Sequence, residues 1–228
     1  MKMRQIAIIG LGSFGNALAK ALASSGVEVI AIDRDKDRIE DLKEYVTLAV
    51  ACDATDEKTL KNIGLGDVDL ACVTIGEDVE ACLLISILLK KLGVPAIFSR
   101  AVTPMQKEIL KAIGVTRIIE IENEMGKEIA NAIIAPRILK RVSLGENHSM
   151  AEIKVPPSFV GKRISELNLR QKNRINIVAI KRNVPDIDKA TGSKTTKEEI
   201  DTVPDPETYF DENDIIIVAG TDKDIKNI

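Results

Sequence analysis

The stretch Ile6-Ala7-Ile8-Ile9-Gly10-Leu11-Gly12-Ser13-Phe14-Gly15 decides how this chain folds. Four apolar residues lead into three glycines spaced G-x-G-x-x-G, which predicts a buried strand, a tight turn and a helix. Gly10 permits the turn, Gly12 lets a diphosphate approach the backbone, and Gly15 lets the helix pack closely on the strand. Because free N–H groups at a helix start attract anions, the stretch predicts a nucleotide site.

An acidic residue ends the second apolar run, residues 27–32. Asp33 follows the glycines by about 20 residues, where this fingerprint places a carboxylate that accepts hydrogen bonds from a ribose diol. The alternative is that Asp33 only caps the next turn. The combination of strand, glycine turn and acid favours the ribose role.

The composition predicts a folded protein without a nucleic-acid partner. The 228 residues are 45% hydrophobic and 29% charged, which is enough apolar material for one ordinary domain and a smaller one. The net charge of −3 leaves no basic surface for DNA or RNA. The N-terminus enters the first strand directly, and the longest apolar run, 81–89, is too short to span a bilayer. We therefore expect a soluble, cytoplasmic chain.

The cysteines and the histidine predict no metal site. Cys52, Cys72 and Cys82 lie in apolar contexts without C-x-x-C spacing, which is typical of reduced core residues. His148 stands alone in a region without periodicity, where a histidine is usually a surface residue.

Strands and helices alternate over the first part of the sequence. Six apolar runs have the length of buried strands, at residues 6–9, 27–32, 47–51, 70–74, 96–100 and 117–121. Helical segments separate them, and a last helix is predicted over 122–139. Since crossover helices join parallel strands, the sequence predicts an α/β fold, a Rossmann-like doubly wound parallel sheet over residues 1–139.

A ligand of such a sheet lies outside the carboxyl ends of the strands, where the strand order reverses. This rule selects the residues that follow the first five strands. They are Gly10, Gly12, Ser13, Phe14, Gly15, Asp33, Arg34, Asp53, Ala54, Thr55, Thr74, Ile75, Gly76 and Arg100. Arg34 and Arg100 have the alternative role of solvated or ion-paired side chains.

The pattern changes after residue 139. Residues 140–150 lose the periodicity and are expected to form a connector. Residues 151–228 predict a second, smaller α+β domain with strands at 151–155, 175–180 and 215–218 and a short helix at 163–167. The polar segment 183–213 is long for a loop in a small domain, so it is expected to be mobile or an elaboration.

Motifs of the first domain occur together with motifs of the second. They are 10–15 (GLGSFG), Asp33, 53–56 (DATD) and 114–126, followed by 152–156 (EIKVP), 160–167 (VGKRISEL), 177–182 (IVAIKR) and 214–220 (DIIIVAG). In this ordered pairing the chain resembles the RCK or KTN subunits, which regulate conductance in Trk/Ktr-type potassium uptake systems. The resemblance covers nearly the whole chain.

The resemblance implies a non-catalytic cytoplasmic subunit that associates with the inner face of the membrane through a partner. That partner would be a separate membrane-embedded potassium channel or transporter. The subunit would form dimers and a ring, commonly an octamer. Exchange of an adenine nucleotide, ATP against ADP or NADH against NAD, would change the shape of the ring and so gate potassium flux, with AMP as a further candidate ligand.

The resemblance also implies roles for single residues. Asp33 would hold the ribose, residues 53–55 would lie by the adenine, and Arg100 stands where relatives often have a lysine near the nucleotide. Glu122 matches an acid that helps to place a cation near the phosphates in some relatives, with compensation of its helix dipole as the alternative. Three positions depart from the family pattern, namely Ser13 for an arginine, Ile121 for a proline and Asn213 for a glycine.

A second ligand is implied for the smaller domain. In some relatives its dimer binds cyclic di-AMP through an isoleucine, an arginine and an asparagine. Ile164, Arg170 and Asn176 occupy similar positions here. The alternative is that these three residues are ordinary dimer contacts.

An NAD-dependent oxidoreductase is the main alternative function, because the same fold and fingerprint serve dehydrogenases. A dehydrogenase needs a proton donor or base beside the nicotinamide. Tyr45 and Tyr209 lack a lysine four residues on, and the one histidine, His148, lies in the expected connector. The sequence therefore predicts no enzyme activity.

The helix predicted over 78–92 is apolar around most of its circumference. Its apolar residues are Cys82, Leu83, Leu84, Ile85, Ile87, Leu88 and Leu89. They span more than the stripe of roughly 100° that covers a sheet, so a second surface must bury the rest. We expect another copy of the protein to do so, and the alternative is the C-terminal domain of the same chain.

Overall fold

The computed structural model describes residues 5–187 and 193–228. The chain forms two compact units that divide between Met125 and Gly126, and each unit is described by itself. Within the described ranges, none of the helices has the length and apolar character that a membrane crossing requires.

The first unit is built on six parallel strands. They are Gln5–Ile9 (β1), Glu28–Asp33 (β2), Leu48–Ala51 (β3), Leu70–Val73 (β4), Ala96–Arg100 (β5) and Arg117–Ile119 (β6). Their order is β3-β2-β1-β4-β5-β6. Strands β2 and β3 lie on one side of β1, and β4, β5 and β6 lie on the other. The predicted Rossmann-like doubly wound sheet is confirmed, and its switch point lies between β1 and β4.

Helices connect these strands. They are Ser13–Ser24 (α1), Lys36–Glu40 (α2), Glu57–Ile63 (α3), Val79–Lys91 (α4), Pro104–Ile113 (α5) and Ile121–Ile134 (α6). Side chains of Asp35, Asp56, Asp78 and Thr103 accept backbone hydrogen bonds at the N-termini of α2 to α5. Helix α1 begins at Gly12 without a side-chain cap, so its start lacks the partner that the four other helix starts have.

Apolar side chains cover both faces of the sheet. Along β1, Ile6 and Ile8 belong to one buried cluster, and Ala7 and Ile9 belong to another. This alternation explains why the strand is a continuous apolar run, since a parallel sheet is buried on both sides. The rigid sheet fixes the positions of the turns at its carboxyl edge.

The second unit contains, in its described residues, the C-terminal part of α6, a five-stranded antiparallel sheet and three short helices. The strands are Ile138–Gly145 (β7), His148–Lys154 (β8), Asn176–Ile187 (β9), Lys194–Asp201 (β10) and Ile215–Thr221 (β11), in the order β10-β9-β11-β8-β7. The helices are Ile164–Leu167 (α7), Leu169–Lys172 (α8) and Asp222–Lys226 (α9). The predicted α+β class of this unit is confirmed.

Two segments differ from the expected structure. Residues 140–150, expected to be a connector, lie largely in the β7–β8 hairpin, and Gly145 and Asn147 at its turn have φ of +154° and +57°. Helix α6 ends at Ile134 instead of 139, because Pro136 disfavours helical backbone in the residue before it.

The expected loop at 183–213 contains strand residues at both 183–187 and 194–201. Residues 194–201 form β10, which pairs with β9 through contacts such as Glu199 opposite Arg182. Every residue of β10 is exposed, so no apolar alternation marked the strand in the sequence. Part of the same segment, 188–192, lies outside the described residues.

Candidate functional site

The glycine turn is shaped by two close approaches. Gly10 has φ of +95° and an added Cβ there would lie 2.6 Å from Cγ1 of Ile75. At Gly15 an added Cβ would lie 1.9 Å from the carbonyl oxygen of Gly10. Gly12 differs, because it has φ of −60° and no atom lies within 4 Å of an added Cβ. The fold therefore requires glycine at 10 and 15, whereas at Gly12 it leaves open space in front of the backbone.

The start of α1 is a set of free backbone donors beside this space. The amide of Asn16 donates to the carbonyl of Gly12 at 2.9 Å, which is the first bond of the helix. The amides of the preceding turn have no acceptor within a helix of this geometry. No acidic side chain lies in that first turn, and Ser13 is exposed there. The arrangement can accept an anionic group.

Asp33 is buried and holds the turn in place. Its carboxylate accepts the amide of Leu11 at 2.5 Å and the amide of Asp35 at 2.9 Å. The guanidinium of Arg38 lies 3.5 Å from the same carboxylate. Asp33 thus has the capping role, and a carboxylate with about four acceptor positions still has capacity for a ligand hydroxyl.

The segment after β3 lies beside Asp33. The amide of Cys52 donates to the carbonyl of Asp33 at 2.9 Å, which ties the two strand ends together. Asp53 accepts from the hydroxyl of Thr55 at 2.7 Å and from its amide at 2.9 Å, and these bonds lower the pKa of Asp53. Ala54 between them is buried, and exposed Arg34 lowers the same pKa further through its charge. The segment forms a tight polar turn with a small apolar floor.

The turn after β4 joins the glycine turn to Arg100. Thr74 donates its hydroxyl to the carbonyls of Ile9 and Gly10. Ile75 packs on Gly10, and an added Cβ at Gly76 would lie 2.5 Å from Nη1 of Arg100. Since a side chain at 76 would occupy the place of the guanidinium, the glycine is what lets Arg100 lie against this turn.

Arg100 forms an ion pair with Glu122. The Arg100 side chain is 20% exposed and that of Glu122 is 61% exposed. The pKa of Glu122 is lowered by a hydrogen bond from its own backbone amide first and by Arg100 second. The carbonyl of Arg100 accepts from Nε2 of Gln106 at 3.1 Å, which fixes the end of β5.

The predicted crevice residues therefore surround one end of the first sheet, linked by contacts from Asp53 through Asp33 and Gly10 to Arg100. An open groove of about 510 Å³ lies on the α1–α2 side of the turn. It is lined by Leu11, Gly12, Ser13, Asn16, Ala17, Lys20, Arg38 and Asp41. Sequence reasoning missed Arg38 and the Leu11 amide. Arg38 stands three residues after Asp35, a helical spacing that could have indicated it.

The residues proposed for a second ligand lie in the second unit. Nε of Arg170 donates to Oδ1 of Asn176 at 2.8 Å, so these two are brought together. Ile164 is half-buried and packs against the apolar core of that unit.

Two of the thiols in the first unit are buried. Burial raises the pKa of Cys72 to about 12 and that of Cys82 to about 11, which keeps both thiols protonated. In residues 5–187 and 193–228 no group of three or more His, Cys, Asp or Glu side chains is arranged to hold a metal ion. His148 is exposed, with Nδ1 2.9 Å from the carbonyl of Glu146 at the hairpin turn.

Sequence comparison matches both units to known domain families. The TrkA-N domain matches residues 6–121 and the TrkA-C domain matches residues 150–228. The Ktr system potassium uptake protein C of Bacillus subtilis (strain 168) is 36% identical over 222 residues, which cover 97% of this chain and 94% of the relative. The Ktr system potassium uptake protein A of Vibrio alginolyticus is 33% identical over 98% of this chain and 96% of its own length.

Structural comparison matches the chain to parts of channel proteins. The GsuK channel bound to NAD has a TM-score of 0.56 and 26% identity, and the match covers 100% of this chain and 38% of the channel chain. GsuK bound to ADP matches with a TM-score of 0.50 and 25% identity over 57% of this chain and 34% of that chain. The chain thus spans about a third of the length of these channel chains.

Proposed function

The chain belongs to the family whose members carry a TrkA-N and a TrkA-C domain, and on this premise we propose that it is the nucleotide-binding regulatory subunit of a potassium uptake system. The observation that carries the proposal is the carboxyl edge of the first sheet, where an uncapped helix start with open space at Gly12, the buried Asp33 and the Arg100 guanidinium lie on adjoining turns. Ktr proteins at 33% and 36% identity supply the transport function.

The ligand we propose is an adenine nucleotide, NAD(H) or ATP, ADP or AMP. Its ribose binds at Asp33, its adenine at Asp53, Ala54 and Thr55, and its phosphates at the amides of the glycine turn, in reach of Arg100. The NAD and ADP named for the GsuK structures support this chemistry. Titration of the purified protein with each of the five nucleotides tests the proposal, and binding of none of them contradicts it.

The second part of the proposal concerns gating. The subunit associates at the cytoplasmic face of the membrane with a membrane-embedded potassium channel or transporter, and nucleotide exchange alters potassium flux through that partner. Potassium uptake into vesicles that hold the partner is the direct test. Flux that depends on this chain but not on the nucleotide contradicts the gating proposal while leaving the association intact.

We expect NADP to bind at least about tenfold more weakly than NAD. The 2′-phosphate would face the Asp33 carboxylate, which is buried, so solvent would do little to screen the repulsion between the two charges. Calorimetric titration with both dinucleotides measures the ratio. Asp33→Asn keeps an acceptor for the Leu11 amide and removes the charge, so it should narrow the ratio. Equal affinities of the unaltered protein for NAD and NADP would show that Asp33 does not meet the ribose.

We further propose that the chain has no catalytic turnover. Tyr209 has its hydroxyl 2.7 Å from Nε of Arg163 in the second unit, and Tyr45 lies under the ammonium of Lys20 at 4.6 Å. Neither tyrosine has the lysine four residues on that the short-chain dehydrogenases use, and Lys20 lies over the face of the Tyr45 ring. Incubation with NADH and small carbonyl compounds should give no sustained loss of absorbance at the NADH band. Oxidation that a single substitution near the crevice abolishes would favour the dehydrogenase alternative.

Self-association is the third part of the proposal, with dimers assembling into a ring, commonly an octamer. Helix α4 supports it, since Leu84 and Ile87 are 40% and 47% exposed although the opposite side of the helix is buried.

For the second unit we propose that Arg170 and Asn176, together with Ile164, contact cyclic di-AMP, with ordinary dimer contacts as the alternative. Binding of cyclic di-AMP that Arg170→Ala does not weaken would favour the alternative.

A further inference from the structure

The Arg100 guanidinium has a donor that the protein does not use. Its Nη2 pairs with Glu122, whereas its Nε is buried and has no hydrogen-bond partner in the described part of the chain. Guanidinium groups carry five N–H donors, and a buried donor without a partner costs free energy. A ligand oxygen that reached Nε would remove this cost.

The same guanidinium lies between the crevice and the start of α6. Its Nη1 lies against Gly76, and the preceding residue, Ile75, packs on Gly10 of the glycine turn. On its other side is Glu122, the second residue of α6. A nucleotide phosphate at the glycine turn and the Glu122 carboxylate are therefore two anions that approach one cation.

We propose that Glu122 sets the preference of the site for phosphate charge by competing with the nucleotide phosphates for Arg100. This inference rests on the proposed nucleotide function and deepens it. A phosphate that takes the Arg100 donors either displaces Glu122 or shares the guanidinium with it. Displacement costs the Arg100–Glu122 ion pair, whereas in the shared arrangement the repulsion between the phosphate and Glu122 rises with the phosphate charge. Glu122 is free to leave, because its side chain is 61% exposed. Its release changes the first turn of α6, the helix within which the two units divide.

Glu122→Gln tests the competition, with Glu124→Gln as the matched control. Glu124 is an acid in the same first turn of α6, so the control removes the same charge from the same helix start. Adenosine, AMP, ADP and ATP are titrated into the full chain at low ionic strength with a chelator, which excludes bridging cations. Glu122→Gln should bind ATP about fivefold more tightly, which is the scale of one exposed ion pair, and adenosine unchanged.

The outcomes separate this inference from the proposed function. If the unaltered chain binds none of the four compounds, the competition is overturned, and if it also binds neither NAD nor NADH, the proposed function is overturned with it. If it binds them, and Glu122→Gln has the unaltered ratio of ATP to adenosine affinity or binds ATP more weakly, only the competition is overturned. If Glu124→Gln gains as much ATP affinity as Glu122→Gln, the effect comes from the charge at the helix start in general, and the competition is overturned as well.

Arg100→Gln provides the second arm. It should weaken ATP relative to adenosine, and on this background Glu122→Gln should produce little further gain, because the cation for which the two anions compete is absent. A full fivefold gain in the double variant would contradict the competition. Thermal unfolding of each variant measures its stability, so that a loss of folded protein is not mistaken for a change in the ratio of ATP to adenosine affinity.

Discussion

Gly12→Ala should leave the protein folded and weaken ADP, ATP and NAD by about a hundredfold or more. Nothing lies within 4 Å of an added Cβ, and the φ of −60° suits alanine, so the fold tolerates the change. The methyl group would stand where the diphosphate must approach the amides. Loss of two charge-assisted hydrogen bonds, at about 1.5–3 kcal/mol each, gives this factor. Titration and thermal unfolding measure the two effects separately.

Two other glycines are the controls for that experiment. Gly126→Ala has the same open space at its Cβ but lies within helix α6 and is not part of the glycine turn, so it should weaken neither nucleotide binding nor stability. Gly15→Ala should destabilise the fold itself, since its Cβ would lie 1.9 Å from a backbone oxygen. If Gly12→Ala weakens adenosine as strongly as ADP, the diphosphate does not lie where we propose.

The backbone of the crevice was predictable because it depends on local rules. Glycines at fixed spacing and an acid at the end of the second strand determine this turn. Steric clashes of the backbone leave its geometry little freedom to vary. The contact between Asp33 and the Leu11 amide completes that turn and was not predicted. The sequence raised a ligand role and a turn-capping role for the acid, whereas its bond to the Leu11 amide appears only when β1 and β2 are paired in register.

The Arg100–Glu122 pair shows where sequence reasoning stops. Both residues were selected separately, one as the end of a strand and the other by family resemblance. Their contact depends on the β5–β6 register, which places Arg100 opposite Ile119 and so brings the start of α6 to the guanidinium. Register between strands is set by packing across the sheet, and apolar runs alone do not specify it.

The second unit was predicted less completely, for a related reason. Strands β8 and β11 alternate buried and partly buried residues over most of their length, whereas β10 is exposed throughout and β7 is mostly exposed. Both of these are edge strands of the sheet. An edge strand held by backbone hydrogen bonds needs no apolar face, so its sequence resembles that of a loop.

Helix α4 has the predicted apolar residues on both its buried and its exposed side. Of its apolar residues, Cys82, Ile85, Leu88 and Leu89 are buried, as expected for the side that covers the sheet. Leu84 and Ile87 are the exposed ones, and α4 packs against α5, which itself exposes Met105 and Ile109. Two neighbouring helices thus both present apolar side chains, a pattern typical of an interface.

The variant with Leu84→Glu and Ile87→Glu together should dissociate the assembly into smaller species at micromolar concentration without unfolding the chain. Each glutamate would place an unpaired charge inside an apolar interface, at a cost of several kcal/mol per subunit, whereas the exposed positions tolerate it in a monomer. Light scattering gives the mass, and circular dichroism shows whether the fold persists. Val203→Glu, at a residue 85% exposed in the second unit, is the control and should keep the parent mass.

Helix α6 is the competing surface for assembly, because Ile133 and Ile134 are 74% and 70% exposed. If Ile133→Glu alone dissociates the protein while the α4 variant keeps the parent mass, the subunits meet mainly through α6. If the α4 variant keeps its mass but unfolds at lower temperature, the second unit of the same chain covers α4. Dissociation of the α4 variant with unchanged secondary structure is the result that assigns α4 to contacts between copies. A charge lowers the mass of the assembly only when it is placed in an interface between chains.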